Sequence, residues 1–175
     1  MMKRARRRAV LLIVATLSTA MLAVPVELPL PVWVVFNPSA SVARGWYRVD
    51  ARRDPSALHV GDLVLARLPA EAAALAAQRG YLPEGVPVIK RVGAVAPQAV
   101  CVSEGWVRVD GVPVAALLGE DGARRPLHHW TQCRRLDVGE LFLLSTTHPA
   151  SFDSRYFGPV GVADLLGVAQ PLWTW

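Results

Sequence analysis

Two serines and one lysine carry the chemistry that is hardest to ascribe to chance. Ser39 and Ser41 stand two apart in the stretch Asn37-Pro38-Ser39-Ala40-Ser41-Val42-Ala43-Arg44-Gly45-Trp46-Tyr47. In extended backbone, residues i and i+2 point to one side, so the two hydroxyls share a face. A serine hydroxyl attacks only when a base removes its proton. Lys90 is the candidate base. In Gly85-Val86-Pro87-Val88-Ile89-Lys90-Arg91-Val92-Gly93, period two puts Val86, Val88, Lys90 and Val92 on one face and Pro87, Ile89 and Arg91 on the other. A lysine in an apolar stripe loses hydration of its ammonium. A fall of about 3 units from ~10.4, or ~4 kcal/mol, would make its neutral form available near physiological pH. Each feature alone has a commoner reading, a serine in a turn or a lysine snorkelling from a strand edge.

Other chemistries find less support. His128 and His129 lie in a basic, irregular segment, and His59 and His148 sit beside turn residues. A Ser-His-Asp triad lacks the GxSxG elbow. No HExxH and no CxxC spacing occurs, so neither a metal site nor a cofactor is expected.

The elements that must position these side chains belong to a chain of 175 residues, enough for one domain with a sizeable core and a short extra segment. It is 53% hydrophobic and carries a formal net charge of +5, from 19 Lys and Arg against 14 Asp and Glu. Lys3, Arg4, Arg6, Arg7 and Arg8 account for the whole excess, leaving a neutral remainder. The basic balance therefore reports an N-terminal tag and not a nucleic-acid-binding face. After the tag, Ala9 to Val24 has no charge. Sixteen helical residues reach about 24 Å, short of a ~30 Å hydrocarbon core. A cleavable signal peptide with Ser18-Thr19-Ala20 as its small-x-small site reads equally well. Apolar residues then continue past Pro25 to Phe36, which also suits a retained anchor. Both readings leave the basic end in the cytoplasm and send the rest across the membrane. In an exported domain, Cys101 and Cys133 predict one disulfide; in a reduced cytosol the pair would carry no meaning.

Short strands dominate residues 30–175. They are expected at Val32–Phe36, Trp46–Val49, Leu63–Ala66, around Lys90, at Ala99–Val102, Trp106–Val109 and Leu141–Leu144. One short helix is expected over Glu71–Arg79, stopped by Gly80. Residues 51–59 and 117–136 read as loops, and the chain ends in a short tail. The fold class is mainly β: a segment at 1–29 with an N-terminal apolar helix, then one β-rich domain at 30–175.

Four motifs in order make the pattern specific: Pro38-Ser39-Ala40-Ser41-Val42, Gly61-Asp62-Leu63-Val64, Lys90-Arg91-Val92-Gly93 and Ser151-Phe152-Asp153-Ser154-Arg155-Tyr156-Phe157-Gly158. Together they resemble the type I signal peptidases, membrane-anchored Ser/Lys proteases. Arg79-Gly80-Tyr81-Leu82-Pro83 and the ending of the last motif look more like the TraF-type conjugal-transfer peptidases. The resemblance covers about residues 30–170. It implies Ser41 as nucleophile and Lys90 as general base. Ser39 matches a serine that assists the oxyanion hole with the Ser41 N–H, and Ser151 one that orients the lysine. Asp153 and Arg155 match an ion pair, with Asp153 either acting on the chemistry or bracing its loop. Val42 replaces the usual methionine, Ser145-Thr146-Thr147 the usual Gly-Asp-Asn, and Ala96-Pro97-Gln98 the usual Pro-Gly-Asp, departures that favour a specialised substrate.

The expected protein is then a monomeric, membrane-associated serine endopeptidase of the bacterial inner membrane, with its catalytic domain in the periplasm. Its partners would be membrane lipid and an exported, pilin-like precursor, whose product the TraF-type enzymes can cyclise. A general signal peptidase acting on many leaders and a non-catalytic envelope scaffold are the alternatives.

Overall fold

The computed structural model describes residue 7 and residues 10–19, 32–51, 57–145 and 147–175. Lys3, Arg4, Arg6 and Arg8, the Ala20 end of the cleavage triplet, the three prolines at 25–31, the charged loop at 52–56 and Thr146 lie outside the described residues. The chain divides into two units, Met1–Pro31 and Val32–Trp175. In the first, residues 10–19 form helix α1, with Val10, Leu11, Leu12, Ile13, Val14 and Leu17 all exposed. No helix among the described residues is long and apolar enough to cross a membrane.

The second unit is built from two antiparallel sheets. Its strands are β1 (Val32–Asn37), β2 (Gly45–Asp50), β3 (Leu63–Ala66), β4 (Val88–Val95), β5 (Ala99–Ser103), β6 (Trp106–Val109), β7 (Val112–Ala116), β8 (Cys133–Arg135), β9 (Glu140–Leu144), β10 (Val160–Gly161) and β11 (Leu165–Thr174). The larger sheet runs β1-β2-β11-β3-β4-β9-β10 and the smaller β7-β6-β5-β8. The expectation of a mainly β protein with short helices holds. Alternation decides how the sheets pack. Along β9, Leu141 and Leu143 enter a core with Val64, Val92, Val160 and Val168, while Phe142 and Leu144 enter another with Val100, Val107 and Leu136. Full burial of each such side chain stabilises by about 1.5–3 kcal/mol.

Several elements differ from the sequence reading. The strand around Lys90 starts at Val88, because the turn at Gly85 leaves Val86 exposed. Ile89 is buried on the opposite face, against Tyr47, Val49 and Leu65, so β4 is covered on both sides. The loop at 117–136 ends in β8, a three-residue strand whose Cys133 lies opposite Cys101. The expected C-terminal tail is a ten-residue strand, β11, which pairs with β2 along one edge and β3 along the other. Its pairing shifts register twice, between Leu165 and Gly167 against β3 and between Pro171 and Trp173 against β2.

Helix α2 (Ala70–Gln78) buries Ala72 and Ala76 and ends where expected, with Gly80 at φ 71°. A one-turn helix, α3 (Ser154–Phe157), is capped by the Asp153 carboxylate, which accepts the Arg155 backbone N–H.

Candidate active site

Ser39 and Ser41 sit in the loop between β1 and β2. Asn37, the last residue of β1, holds that loop from within. Its Nδ2 donates to the carbonyls of Ser39 at 2.9 Å and Ala43 at 3.1 Å. Its Oδ1 accepts from Ser39 N–H at 3.2 Å and Ser39 Oγ at 2.8 Å. Tyr47, on β2, donates to the Ala43 carbonyl at 2.6 Å, and Val42 is buried in the same core as Tyr47. Gly45 begins β2 with φ 140°, and a Cβ there would stand 2.1 Å from the Trp173 carbonyl oxygen of β11, so only glycine fits.

The hydroxyls of Ser39 and Ser41 lie 2.9 Å apart. Each has one proton. Ser39 commits its own to Asn37 Oδ1, so Ser41 is the donor between the two serines. To donate to a developing oxyanion, Ser39 has to turn its proton away from Asn37.

Lys90 lies on β4 opposite Val64 of β3 and is only 4% exposed. Its Nζ donates to Ser151 Oγ at 2.5 Å. Burial lowers its pKa from 10.5 to about 8; the Asp153 carboxylate opposes that shift and the Arg155 guanidinium adds to it. Arg91, its neighbour, turns to the other face and donates to the Gly61 carbonyl at 2.6 Å.

Asp153 and Arg155 form a buried, two-pronged ion pair. Arg155 Nε reaches Asp153 Oδ1 at 2.8 Å and its NH2 reaches Oδ2 at 2.9 Å. Both residues are essentially inaccessible, at 0% and 1%. Arg155 also donates to the carbonyls of Ser151 at 3.0 Å and Ala116 at 2.8 Å. Every donor of this buried guanidinium that the structure pairs thus meets an oxygen, the condition for such a pair to be tolerated.

Ser39, Ser41, Lys90 and Ser151 all line one cavity of about 430 Å³. Leu68, Val88 and Phe152 give it apolar walls, and Tyr81, Asp121 and Arg125 also line it. The Asp121 carboxylate accepts from Tyr81 Oη and, at 2.7 Å, from Arg125 Nε. It fastens the loop before β8 to the end of α2. Cys101 and Cys133 are joined by a disulfide in the smaller sheet and are not among the cavity's lining residues. Among the described residues no cluster of His, Cys, Asp or Glu could hold a metal ion.

The family profile described as "Signal peptidase, peptidase S26" matches residues 4–175. The chain belongs to this peptidase family. Relatives within reach of this S26 member carry conjugation names. "Probable conjugal transfer protein TraF" of Sinorhizobium fredii is 38% identical over 148 residues, 79% of this chain and 76% of the relative. "Conjugal transfer protein TraF" of Agrobacterium tumefaciens is 35% identical over 157 residues, 79% of this chain and 81% of the relative. Among solved structures, a signal peptidase I from Enterococcus faecalis is 20% identical, with a TM-score of 0.40 over 66% of this chain and 97% of that one.

Ser39, Ser41, Lys90 and Ser151 thus meet around one cavity, with Arg155 of the Asp153–Arg155 pair bonded to the Ser151 carbonyl, whereas Cys101 and Cys133 do not line it. Three residues at the site were not singled out for it. Asn37 reads as a turn former, and its Asn-Pro context was the available signal. Ser145 and Thr147 entered only as departures from a motif. The structure places both on the serine loop. Ser145 Oγ donates to the Ser41 carbonyl at 2.7 Å, and Thr147 Oγ1 lies 3.0 Å from the Ala40 and Ser41 carbonyl oxygens.

Proposed function

We propose that this S26 peptidase is a membrane-associated serine endopeptidase working through Ser41 and Lys90, and that it processes an exported precursor, a conjugative pilin subunit. The observation that carries the reading is Lys90: a buried amine in the cavity of Ser41, with its pKa lowered to about 8. An ordinary lysine is almost wholly protonated at neutral pH; this one has a usable neutral fraction. Neutral Lys90 takes the Ser41 proton as Oγ attacks the scissile carbonyl. The tetrahedral oxyanion is met by the Ser41 N–H, with Ser39 as a second donor. Collapse expels the leaving amine, which receives the proton from the Lys90 ammonium, and leaves an acyl ester on Ser41. Water resolves the ester to an acid. An amine, such as the substrate's own N-terminus, resolves it to an amide and closes a ring.

The TraF names of the relatives support a place in conjugation. The apolar cavity walls suit an extended, mostly apolar segment. A periplasmic setting is supported by the Cys101–Cys133 disulfide and by the basic tag ahead of the apolar N-terminal stretch. Contact with lipid is supported by an exposed aromatic group at the strand ends that flank the serine loop. Phe36 meets Trp46 at 5.1 Å and Trp175 at 6.1 Å in tilted contacts, and Trp175 meets Trp173 edge-on at 5.9 Å. Such rings favour the headgroup level of a bilayer.

The test uses the full chain in membranes, mixed with a conjugative pilin precursor and, separately, with a precursor bearing an Ala-x-Ala leader; products are read by mass spectrometry. The pilin precursor is expected to be cut and the generic leader left intact. Ser41→Ala and Lys90→Met are each expected to fold and to lose all cutting. Normal processing by either variant would refute the dyad, and equal cutting of both precursors would favour a general signal peptidase.

A further inference from the structure

We propose that Ser145 and Thr147 are positioning residues that clamp the two peptide units on either side of the Ser41 Cα, so that the Ser41 N–H is held ready to meet an oxyanion. The inference rests on Ser41 as the nucleophile.

The Ser41 N–H belongs to the same peptide unit as the Ala40 carbonyl. That unit is planar and trans, so the N–H points opposite to the C=O, and fixing one fixes the other. Thr147 Oγ1 stands 3.0 Å from the Ala40 oxygen and 3.0 Å from the Ser41 oxygen, within reach of both carbonyls for its one proton. Ser145 Oγ donates to the Ser41 oxygen at 2.7 Å and accepts the His148 N–H at 3.1 Å. The hydroxyls thus grip the carbonyl side of the loop. The opposite side is left for the N–H, and among the described residues that N–H donates to no protein acceptor. A donor fixed beforehand needs no reorganisation when charge develops, which is what gives an oxyanion donor its effect.

The clamp has a rigid base. Ser145 is 3% exposed and follows β9, whose Leu144 pairs with Arg91, the neighbour of Lys90 on β4. Its N–H donates to Asp153 Oδ2 at 2.9 Å, and Asp153 is locked by Arg155. The lysine stands on β4 and the clamp just beyond the end of the adjacent β9, and the loop carrying the nucleophile is registered against both. Asp153 has two routes to the chemistry: its charge acts on Lys90, and its carboxylate sets Ser145.

The experiment compares Thr147→Val, Thr147→Ser, Ser145→Ala and the Ser145→Ala/Thr147→Val double variant of the full chain, on the precursor that the wild type cuts. Removing one oxyanion donor costs about 10²–10³ in kcat. Misaligning it is expected to lower kcat about tenfold in each single loss variant and about a hundredfold in the double. KM and the pH midpoint of the rate are expected to stay unchanged, because neither hydroxyl touches Lys90. Thr147→Ser, which keeps the hydroxyl, is expected to stay within about twofold of wild type. Thr147 is exposed, so its valine variant keeps the fold and carries the test even where Ser145→Ala loosens the core. A wild-type kcat in Thr147→Val, an equal loss in Thr147→Ser, or a shifted pH midpoint overturns the clamp. Cutting by Ser41→Ala overturns the nucleophile and the clamp together. An inert Ser41→Ala beside a fully active double variant overturns the clamp alone.

Discussion

In the larger sheet, β4 and β9 are covered on both faces; in the smaller one, β7 and β8 keep most of their residues exposed. The difference follows from what each sheet has to hold. On the proposed reading Lys90 sheds its proton, which needs a dry setting, and a strand buried on one face only would leave its amine a path to water. The core that dries the amine must also accommodate its charge, and the Asp153–Arg155 pair beside it is held by four hydrogen bonds from the Arg155 guanidinium to oxygens. The smaller sheet buries one line of side chains, Val100, Val107, Val109 and Ala115, against Phe142 and Leu144. This one-sided sheet also carries a covalent link between β5 and β8. One sheet is packed on both faces around buried charge, the other on one face with a cross-link added.

The comparison is broken most severely by Asp153→Asn. It leaves the Arg155 guanidinium, 1% exposed, facing an amide, and breaking a buried pair this way costs about 3–5 kcal/mol. Urea unfolding is expected to show that loss; a loss under ~1 kcal/mol would mean that the larger sheet does not depend on its buried charge. Next comes the double change Cys101→Ser, Cys133→Ser. The bridge closes a separation of 32 residues, for which chain entropy gives about 3–4 kcal/mol. The expected outcome is lower stability with little change in kcat at temperatures where the variant stays folded. A collapse of kcat in the folded variant would show that the smaller sheet holds the site after all.

Lys90→Met runs in the opposite direction. The native pKa of about 8 lies below the free value of 10.5. The folded state therefore binds this proton less tightly than the unfolded chain does. The cost of the buried ammonium is complete below about pH 8, fades between the two values and is gone above pH 10.5. At 1.36 kcal/mol per unit it comes to about 3 kcal/mol, less ~1 kcal/mol for the hydrogen bond to Ser151 that methionine cannot make. Lys90→Met is expected to be inactive and yet more stable than wild type at pH 7, by ~2 kcal/mol, with the advantage gone near pH 11. Thermal melts across that range measure it, and a variant less stable at pH 7 would mean that Lys90 is not desolvated. In the wild type, kcat/KM is expected to climb with pH through a limb near 8. The smallest effect belongs to the outer face of the smaller sheet: Val112→Thr, at an exposed position, is expected to change stability by no more than about 0.5 kcal/mol.

How far the sequence revealed this depends on the range of each interaction. Lys90 was legible because period-two alternation is local and a lysine interrupts an apolar stripe. Ser41, Ser151, Asp153 and Arg155 stood in short motifs whose order is itself a signal. The function of Ser145 and Thr147 was illegible, since it consists of bonds to residues more than a hundred positions away. Strand β8 was hidden because three residues are too few to set a period, and α3 because one turn held by the Asp153 cap has no apolar repeat. The tail failed to read as a strand for a different reason: β11 changes register twice.

That last strand also governs when the molecule can work. The serine loop hangs between β1 and β2, while Lys90 belongs to β4 beside β3, and in the sheet order β11 alone lies between the two pairs. Synthesis delivers β11 after the other strands. Until Leu165–Thr174 has arrived, nothing in the sheet ladder ties the hydroxyl to the amine. A chain stopped before Leu165 is expected to leave precursors uncut when the two are expressed together. The order of the strands thus makes the ladder between the serine loop and Lys90 the last to close.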